Sequence, residues 1–283
     1  MLMKKIKLKI PAKINLTLDV VGTEGNYHEI KSLVTSVNVY DEITLEKRAD
    51  NKIVLNMKGL DVGCSVPDNN AYKAAKLFAE TFSTGGVTVT VDKKIPIGGG
   101  MGGSSADIAG VLKGMNALYE IDFDMGELAD ALGSDVKYML QGGYAVISGR
   151  GQLIEEQFIS KPLYFVMVTE ERSISARSCY KKFDQIGKKT SVCTNTAVKA
   201  LLGGDFDKYT KVAKNDLYLP ATSFVSQLEK NIKILKDAGA PIALMTGSGS
   251  VVFGVFDSQK ERDKIYKKVK PIFEDKVFKA RTV

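Results

Sequence analysis

The residues most able to do chemistry lie in one run, Pro96-Ile97-Gly98-Gly99-Gly100-Met101-Gly102-Gly103-Ser104-Ser105-Ala106-Asp107. Five glycines fall within the six residues from Gly98 to Gly103. Each carries a conformational entropy cost, so the run needs a reason. It precedes an amphipathic helical pattern that starts near Ser104. Glycine allows positive φ and close backbone approach, and a helix N-terminus supplies N–H donors and positive partial charge. Together these make a cradle for an anion such as a triphosphate. The run is not a Walker A loop, because no lysine follows the glycines in that register, and it does not match the dinucleotide fingerprint. The plainer alternative is a turn capped by Ser104, with Asp107 completing a pattern like a capping box.

Four further groups could act with this run. In Pro11-Ala12-Lys13-Ile14-Asn15-Leu16, a strand would put Lys13 and Asn15 on one face and Ile14 and Leu16 on the other. Asn26-Tyr27-His28-Glu29 follows turn residues and holds the chain's single histidine. His28 beside Tyr27 could stack on a base and hydrogen-bond to it, or it could be structural. Asp135, in Leu132-Gly133-Ser134-Asp135-Val136, is placed either to start a helix or to take a proton. Thr246-Gly247-Ser248-Gly249-Ser250 lies between two apolar strands and reads as a tight hairpin or as a second glycine-rich wall against phosphates.

The elements that must position these groups follow from periodicity. Ile6–Ile10, Asn15–Val21, Ser32–Val39, Glu42–Glu46, Ile53–Met57 and Val87–Val91 read as strands. Helical spacing runs over Asn69–Phe82. It recurs after the glycine run, where Ile108, Val111, Leu112, Met115 and Leu118 form one stripe. Short helical starts follow at Glu127 and Ser134, and then a strand over Tyr144–Ser148. Gly149 to Pro162 is a candidate domain boundary. Beyond it, Leu163–Val168, Ile242–Met245 and Val251–Phe256 read as strands, Phe224–Lys236 and Lys260–Val269 as helices, and Lys188–Thr196 as a polar loop. The pattern indicates an α+β (mixed α/β) protein.

Composition narrows the classes. Hydrophobic residues make up 44% and charged residues 26% of 283 residues, values near the globular averages. The net charge of +7 suits an anionic ligand. The basic stretch Lys260–Lys270 alternates with apolar and acidic residues, as a solvated helix face does, so no nucleic-acid partner is expected. Cys64, Cys179 and Cys193 are widely spaced and odd in number, which supports neither a disulfide framework nor a cysteine zinc site. No apolar run reaches the roughly 20 residues needed to span a bilayer, and Met1–Ile10 lacks the apolar core of a signal peptide. No membrane partner and a cytoplasmic residence are therefore expected.

Read together and in order, these motifs resemble the GHMP family of small-molecule kinases. The carriers are Pro11–Leu16, Asn26–Glu29, Asn70–Ala75, Gly98–Ala109, Gly133–Tyr138 with Gly142-Gly143 behind it, and Thr246–Ser250. The chain departs from the family pattern at Ser104, Ala106, Lys137, Gln152 and Ser250. The resemblance implies a two-domain GHMP kinase fold. An N-terminal, ribosomal-protein-S5-domain-2-like, ATP-binding domain would cover residues 1–155 and a ferredoxin-like domain 156–283, with the site in the cleft between them. It implies ATP and Mg2+ as cofactors, a cytidine-diphosphate alcohol as the small-molecule substrate, and a monomer or homodimer. Asp135 would accept the proton of the attacking hydroxyl. Lys13 would hold Asp135 ionised and stabilise the phosphoryl charge. The backbone of Pro96, Ile97, Gly98, Gly99, Gly100, Met101, Gly102, Gly103, Ser104, Ser105 and Ala106 would hold the nucleotide. Asn15, Tyr27 and His28 would hold the cytidine end, with Tyr180 stacking on the base, and Gly247, Ser248 and Gly249 would close the wall. Another GHMP kinase acting on homoserine, mevalonate or a sugar is the alternative, as is a nucleotide-binding relative without turnover.

Overall fold

A computed structural model describes residues 4–25, 27–187 and 191–283. In chain order the elements are β1 (Lys5–Asn15), β2 (Asp19–Glu24), β3 (Tyr27–Lys47), β4 (Ile53–Gly59), α1 (Asn70–Phe82), β5 (Val87–Lys93), α2 (Gly103–Tyr119), α3 (Gly126–Leu132) and α4 (Val136–Gln141). Then come β6 (Tyr144–Gly149), β7 (Leu153–Phe158), β8 (Tyr164–Val168), α5 (Ala176–Ile186), α6 (Thr194–Leu202), α7 (Phe206–Val212), α8 (Tyr218–Thr222) and α9 (Gln227–Ala238). β9 (Ile242–Met245), β10 (Val252–Phe256), α10 (Gln259–Phe273) and β11 (Val277–Arg281) complete the chain. No described helix is long and apolar enough to cross a membrane.

The chain forms two compact units. Unit one takes the chain up to Ala12, Val39–Ile97 and Gly102–Gly142. Unit two takes Lys13–Asn38, Gly98–Met101 and Gly143–Val283. The long strand β3 runs from one unit into the other, and its halves pair separately.

In unit one the second half of β3 pairs antiparallel with β5, as in Ile43 opposite Val91, and β5 pairs parallel with β4. β5 alternates buried and half-buried residues, as a strand with one covered face does. The face is covered by helices. α1 buries Ala71, Ala74, Ala75 and Phe78, and α2 buries the whole expected stripe from Ile108 to Leu118. Gly114 lets α2 lie close, because a Cβ there would sit 2.1 Å from Leu45 Cδ1.

In unit two the first half of β3 pairs with β2 and with β6, and β6 pairs with β7. A second sheet runs β11-β8-β10-β9, all antiparallel. Its core includes Val166, Val168, Met245, Val252 and Phe256, packed with Cys179 of α5, Leu228 of α9 and Ile265 of α10. α10 buries only Arg262, Ile265, Val269 and Phe273, which leaves most of its lysines solvated, as expected. Cys179 and Cys193 are free thiols, and burial pushes each up to about 12.

Several elements differ from the sequence expectation. The strand read over Asn15–Val21 is interrupted, with β1 ending at Asn15 and β2 starting at Asp19, and the stretch Gly149–Pro162 holds β7, paired with β6. Ser32–Val39 and Glu42–Glu46 are one continuous strand. Aspartate is depleted in strands, but Asp41 is tolerated because its Oδ1 accepts the N–H of Lys94 at 2.6 Å and of Ile95 at 2.8 Å. The loop expected over Lys188–Thr196 instead starts α6 at Thr194. Lys188, Lys189 and Thr190 lie outside the described residues, as does Asn26 in the Tyr-His turn. The start of α6 is capped by a distant residue. Asp19 Oδ2 accepts the N–H of Cys193 at 3.0 Å and of Thr194 at 2.9 Å.

Candidate active site

The β1 alternation puts Lys13 and Asn15 on one side of the strand, as expected. Both are buried, and Lys13 Nζ donates to Asn15 Oδ1 at 2.8 Å. Asn15 Nδ2 donates to Ser32 Oγ at 2.8 Å, and its backbone N–H donates to Thr246 Oγ1 at 3.1 Å. The Thr246 hydroxyl in turn reaches Gly100 O at 3.0 Å. The Lys13 N–H donates to Met101 O at 3.0 Å, and the Val251 N–H to Gly99 O at 3.2 Å. Unit two therefore knits three of the predicted segments together: Lys13–Asn15, Gly99–Met101 and Thr246–Gly249.

The glycines of this knot serve close approach. Gly100 has φ +75°, and a Cβ on it would lie 2.2 Å from Thr246 O. Gly247 lies against the same residue, with its would-be Cβ 3.2 Å from Gly100 O. Asn215, which carried no local signal in the sequence, braces the second loop. Its Nδ2 donates to Met245 O at 2.7 Å and to Gly247 O at 2.8 Å. Thr246–Ser250 is also the connection of the β9–β10 hairpin, so the plain reading and the second-wall reading describe the same residues. Pro96 is half-buried, Ile97 exposed, and Gly98 packs on Ser173.

In unit one the run becomes a helix start. Gly102, with φ +73°, is the N-cap of α2, and no side chain caps the helix. The capping-box alternative fails on both its residues. Ser104 Oγ accepts from Asn70 Nδ2 at 2.6 Å, and Asp107 turns inward to Lys93. The first-turn N–H groups of an α-helix have no acceptor within the helix. Those of Gly103, Ser104 and Ser105 lie at the positive end of a 17-residue helix. Ser104 is exposed and Ser105 half-buried, whereas Met101 and Ala106 are buried and could meet a ligand only through backbone.

Beneath that turn lies a group that the sequence did not reveal. Lys93 Nζ donates to Asp41 Oδ2 at 2.5 Å and to Asp107 Oδ2 at 2.9 Å, with all three side chains at least nine-tenths buried. Burial, with Asp41 adding to it against the pull of Lys93, pushes the Asp107 carboxyl up to about 7. A Cβ on Gly103 would lie 2.8 Å from Lys93 Nζ, so the ammonium sits directly under the first residue of α2.

Asp135 is half-buried at the N-cap of α4 and makes no side-chain cap bond there. Gly142 and Gly143 close that helix with φ +74° and +78°. Asp135 belongs to unit one and Lys13 to unit two.

The base-recognition candidates lie in unit two. His28 Nε2 is 2.7 Å from Asp184 Oδ1, and its ring stacks on Tyr180 with centroids 4.7 Å apart and planes at 17°. Tyr27 is exposed, and the Arg150 guanidinium lies 4.7 Å over its ring. The structure thus brings Tyr180 to His28, although the two are far apart in sequence. The off-pattern residues have structural partners. Lys137 pairs with Asp130, Gln152 Oε1 accepts the Arg150 N–H, and Ala106 and Ser250 are buried. Among the described residues no cluster of three or more His, Cys, Asp or Glu could hold a metal ion.

A family model for GHMP kinases N terminal domain matches residues 69–149, and one for GHMP kinases C terminal matches residues 197–274. The 4-diphosphocytidyl-2-C-methyl-D-erythritol kinase of Macrococcus caseolyticus is 32% identical over 268 residues, covering 92% of this chain and 93% of the relative. That of Thermoanaerobacter pseudethanolicus is 32% identical over 286 residues, covering 99% and 97%. The crystal structure of a 4-(cytidine 5'-diphospho)-2C-methyl-D-erythritol kinase superposes with a TM-score of 0.82 at 26% identity, covering 98% of each chain. The mevalonate kinase of L. major shares the fold at 15% identity and a TM-score of 0.75, covering 99% of this chain and 96% of that one.

Proposed function

The chain belongs to the GHMP kinase family, and from that premise we propose that it transfers the γ-phosphoryl group of ATP to the 2-hydroxyl of 4-diphosphocytidyl-2-C-methyl-D-erythritol, in non-mevalonate isoprenoid biosynthesis. The observation that carries this reading is the uncapped start of α2 behind a glycine run, on a chain that relatives of that named activity match over nearly its whole length. A helix start of this kind holds phosphates through backbone N–H groups.

The roles follow residue by residue. Gly98 to Ser105, flanked by Pro96, Ile97 and Ala106, bind the nucleotide phosphates chiefly through backbone. Asp135 takes the proton of the attacking 2-hydroxyl, and its carboxylate is not spent on capping α4. Lys13 stabilises the charge on the phosphoryl group in flight. The transition state of such transfers is loose, so placement and electrostatics supply most of the rate. Mg2+, when bound with the nucleotide, would supply neutralisation of the phosphate charge. Asn15, Tyr27, His28 and Tyr180 hold the cytidine end, and Gly247 to Gly249 close the wall. The division into an ATP-binding domain over 1–155 and a second domain over 156–283 belongs to the same reading.

A coupled ADP-release assay over a substrate panel tests it. Turnover with 4-diphosphocytidyl-2-C-methyl-D-erythritol is expected to exceed that with homoserine, mevalonate or sugars by orders of magnitude. ATP binding with no transfer to any of them would replace the reading with a nucleotide-binding role.

A further inference from the structure

The Asp41–Lys93–Asp107 group holds two carboxylates and one ammonium, all at least nine-tenths buried. The two carboxylates are not equivalent. Asp41 accepts from three donors: Lys93 Nζ on Oδ2 and the Lys94 and Ile95 N–H groups on Oδ1. Asp107 has Lys93 on Oδ2, faces the Asp41 carboxylate, and has its Oδ1 buried with no hydrogen-bond partner. A buried acceptor without a donor is costly, and a proton on that oxygen removes the excess negative charge. The charged groups that face Asp107 are Asp41 from β3 and Lys93 from β5. From α1, the side chain that meets the first turn of α2 is the neutral Asn70.

Lys93 Nζ also lies under Gly103, at the turn where phosphates would bind. An arriving anion and Asp107 therefore draw on the same ammonium. Added negative charge nearby disfavours the ionised carboxylate.

Resting on the nucleotide reading above, we propose that Asp107 takes up a proton when nucleotide phosphates bind at the first turn of α2. The proton comes from solvent, an O–H bond forms on Oδ1, and no electrons are exchanged. The carboxyl already sits near neutrality before the anion arrives. Binding therefore takes up protons above about pH 7, and affinity falls as pH rises there. Well below that pH Asp107 is protonated in both states and contributes no dependence.

Calorimetric titration of the full-length protein with MgADP at pH 7.5, in two buffers of different ionisation enthalpy, counts the protons. The wild type is expected to take up roughly half a proton more than Asp107→Asn. The difference cancels the nucleotide's own ionisation. Asp41→Asn leaves Lys93 facing a single carboxylate, which should stay ionised, so this variant should match Asp107→Asn. Equal proton counts in the wild type and Asp107→Asn, with MgADP bound by both, overturn the proposal and leave the nucleotide reading standing. No MgADP binding by the wild type overturns both. Should neither variant fold, the wild type decides alone. Its MgADP dissociation constant should rise severalfold between pH 7 and 9, and a flat profile overturns the proposal.

Discussion

The glycine run has two halves with different occupations. Gly99–Met101, in unit two, give their carbonyls to the protein itself. Gly100 gives its carbonyl to Thr246, Gly99 its carbonyl to Val251, and Met101 its carbonyl to Lys13. Gly102–Ala106, in unit one, opens α2 with no side-chain cap, over a buried ammonium. Three other helices carry a cap from their own N-cap side chain, while α3, α4, α8, α9 and α10 start without one, as α2 does. Asn69 caps α1, Ser175 caps α5 and Asp205 caps α7. A glycine-rich stretch is therefore not one feature. The first half needs glycine because two loops touch through backbone, and it gives its carbonyls to that contact, whereas the second half opens a helix and places its first-turn N–H groups at the positive end.

The largest effect expected on the helix side is Asp135→Asn. It should lower kcat by about 10³–10⁴-fold, near the upper end for loss of a general base. The melting temperature is measured alongside, because the role assigned to Asp135 lies in the reaction and not in capping α4. A lower melting temperature with near-normal kcat would make Asp135 a structural residue. The two halves of the run are then compared by one methyl each. Gly100→Ala combines positive φ with a backbone clash at 2.2 Å, and should cost about 2–4 kcal/mol of stability. Gly103→Ala carries no positive-φ penalty and meets Lys93 Nζ, which two carboxylates hold, at 2.8 Å. It should cost less in denaturant unfolding and instead raise KM for ATP. Equal stability losses, with equal KM values, would erase the distinction drawn here.

Much of this arrangement was legible in the sequence where the cause is local. A two-residue period put Lys13 and Asn15 together, and a helical period gave the α2 stripe that fills its core. What was not legible depends on partners far along the chain. The strand break expected near Asp41 does not occur, because Lys93, Lys94 and Ile95 satisfy that carboxylate. The start of α6 was hidden because its cap, Asp19, is 174 residues from Cys193. Asp107 looked like part of a capping box because its spacing from Ser104 fits one. Its actual partner, Lys93, is 14 residues away in the other direction. Asn215 gave no signal, since a single asparagine that braces two carbonyls has no local pattern to betray it.

Thr246→Val tests whether the unit-two knot is held by its hydroxyl. The change keeps the shape and leaves the Asn15 N–H and the Gly100 carbonyl without that partner. A loss of about 1–3 kcal/mol is expected in urea unfolding, with KM for ATP little changed. A large rise in KM and no loss of stability would mean that the loop half, too, is organised for the nucleotide.

The smallest expected effect asks whether unit two keeps any group for the substrate. His28 is already engaged, by Asp184 at one ring nitrogen and by Tyr180 on one face. Both partners belong to α5, so the ring is held in place before any ligand arrives. A pre-placed ring loses little freedom on binding, which is how one aromatic contact can contribute to affinity. His28→Ala should raise KM for the cytidine-bearing substrate about tenfold, the equivalent of about 1.4 kcal/mol, while KM for ATP stays within about twofold. An unchanged KM for that substrate would mean that His28, Tyr180 and Asp184 hold α5 against β3 and nothing more. The contrast would then sharpen, with unit two saturated by its own contacts and ligand recognition resting on the helix side.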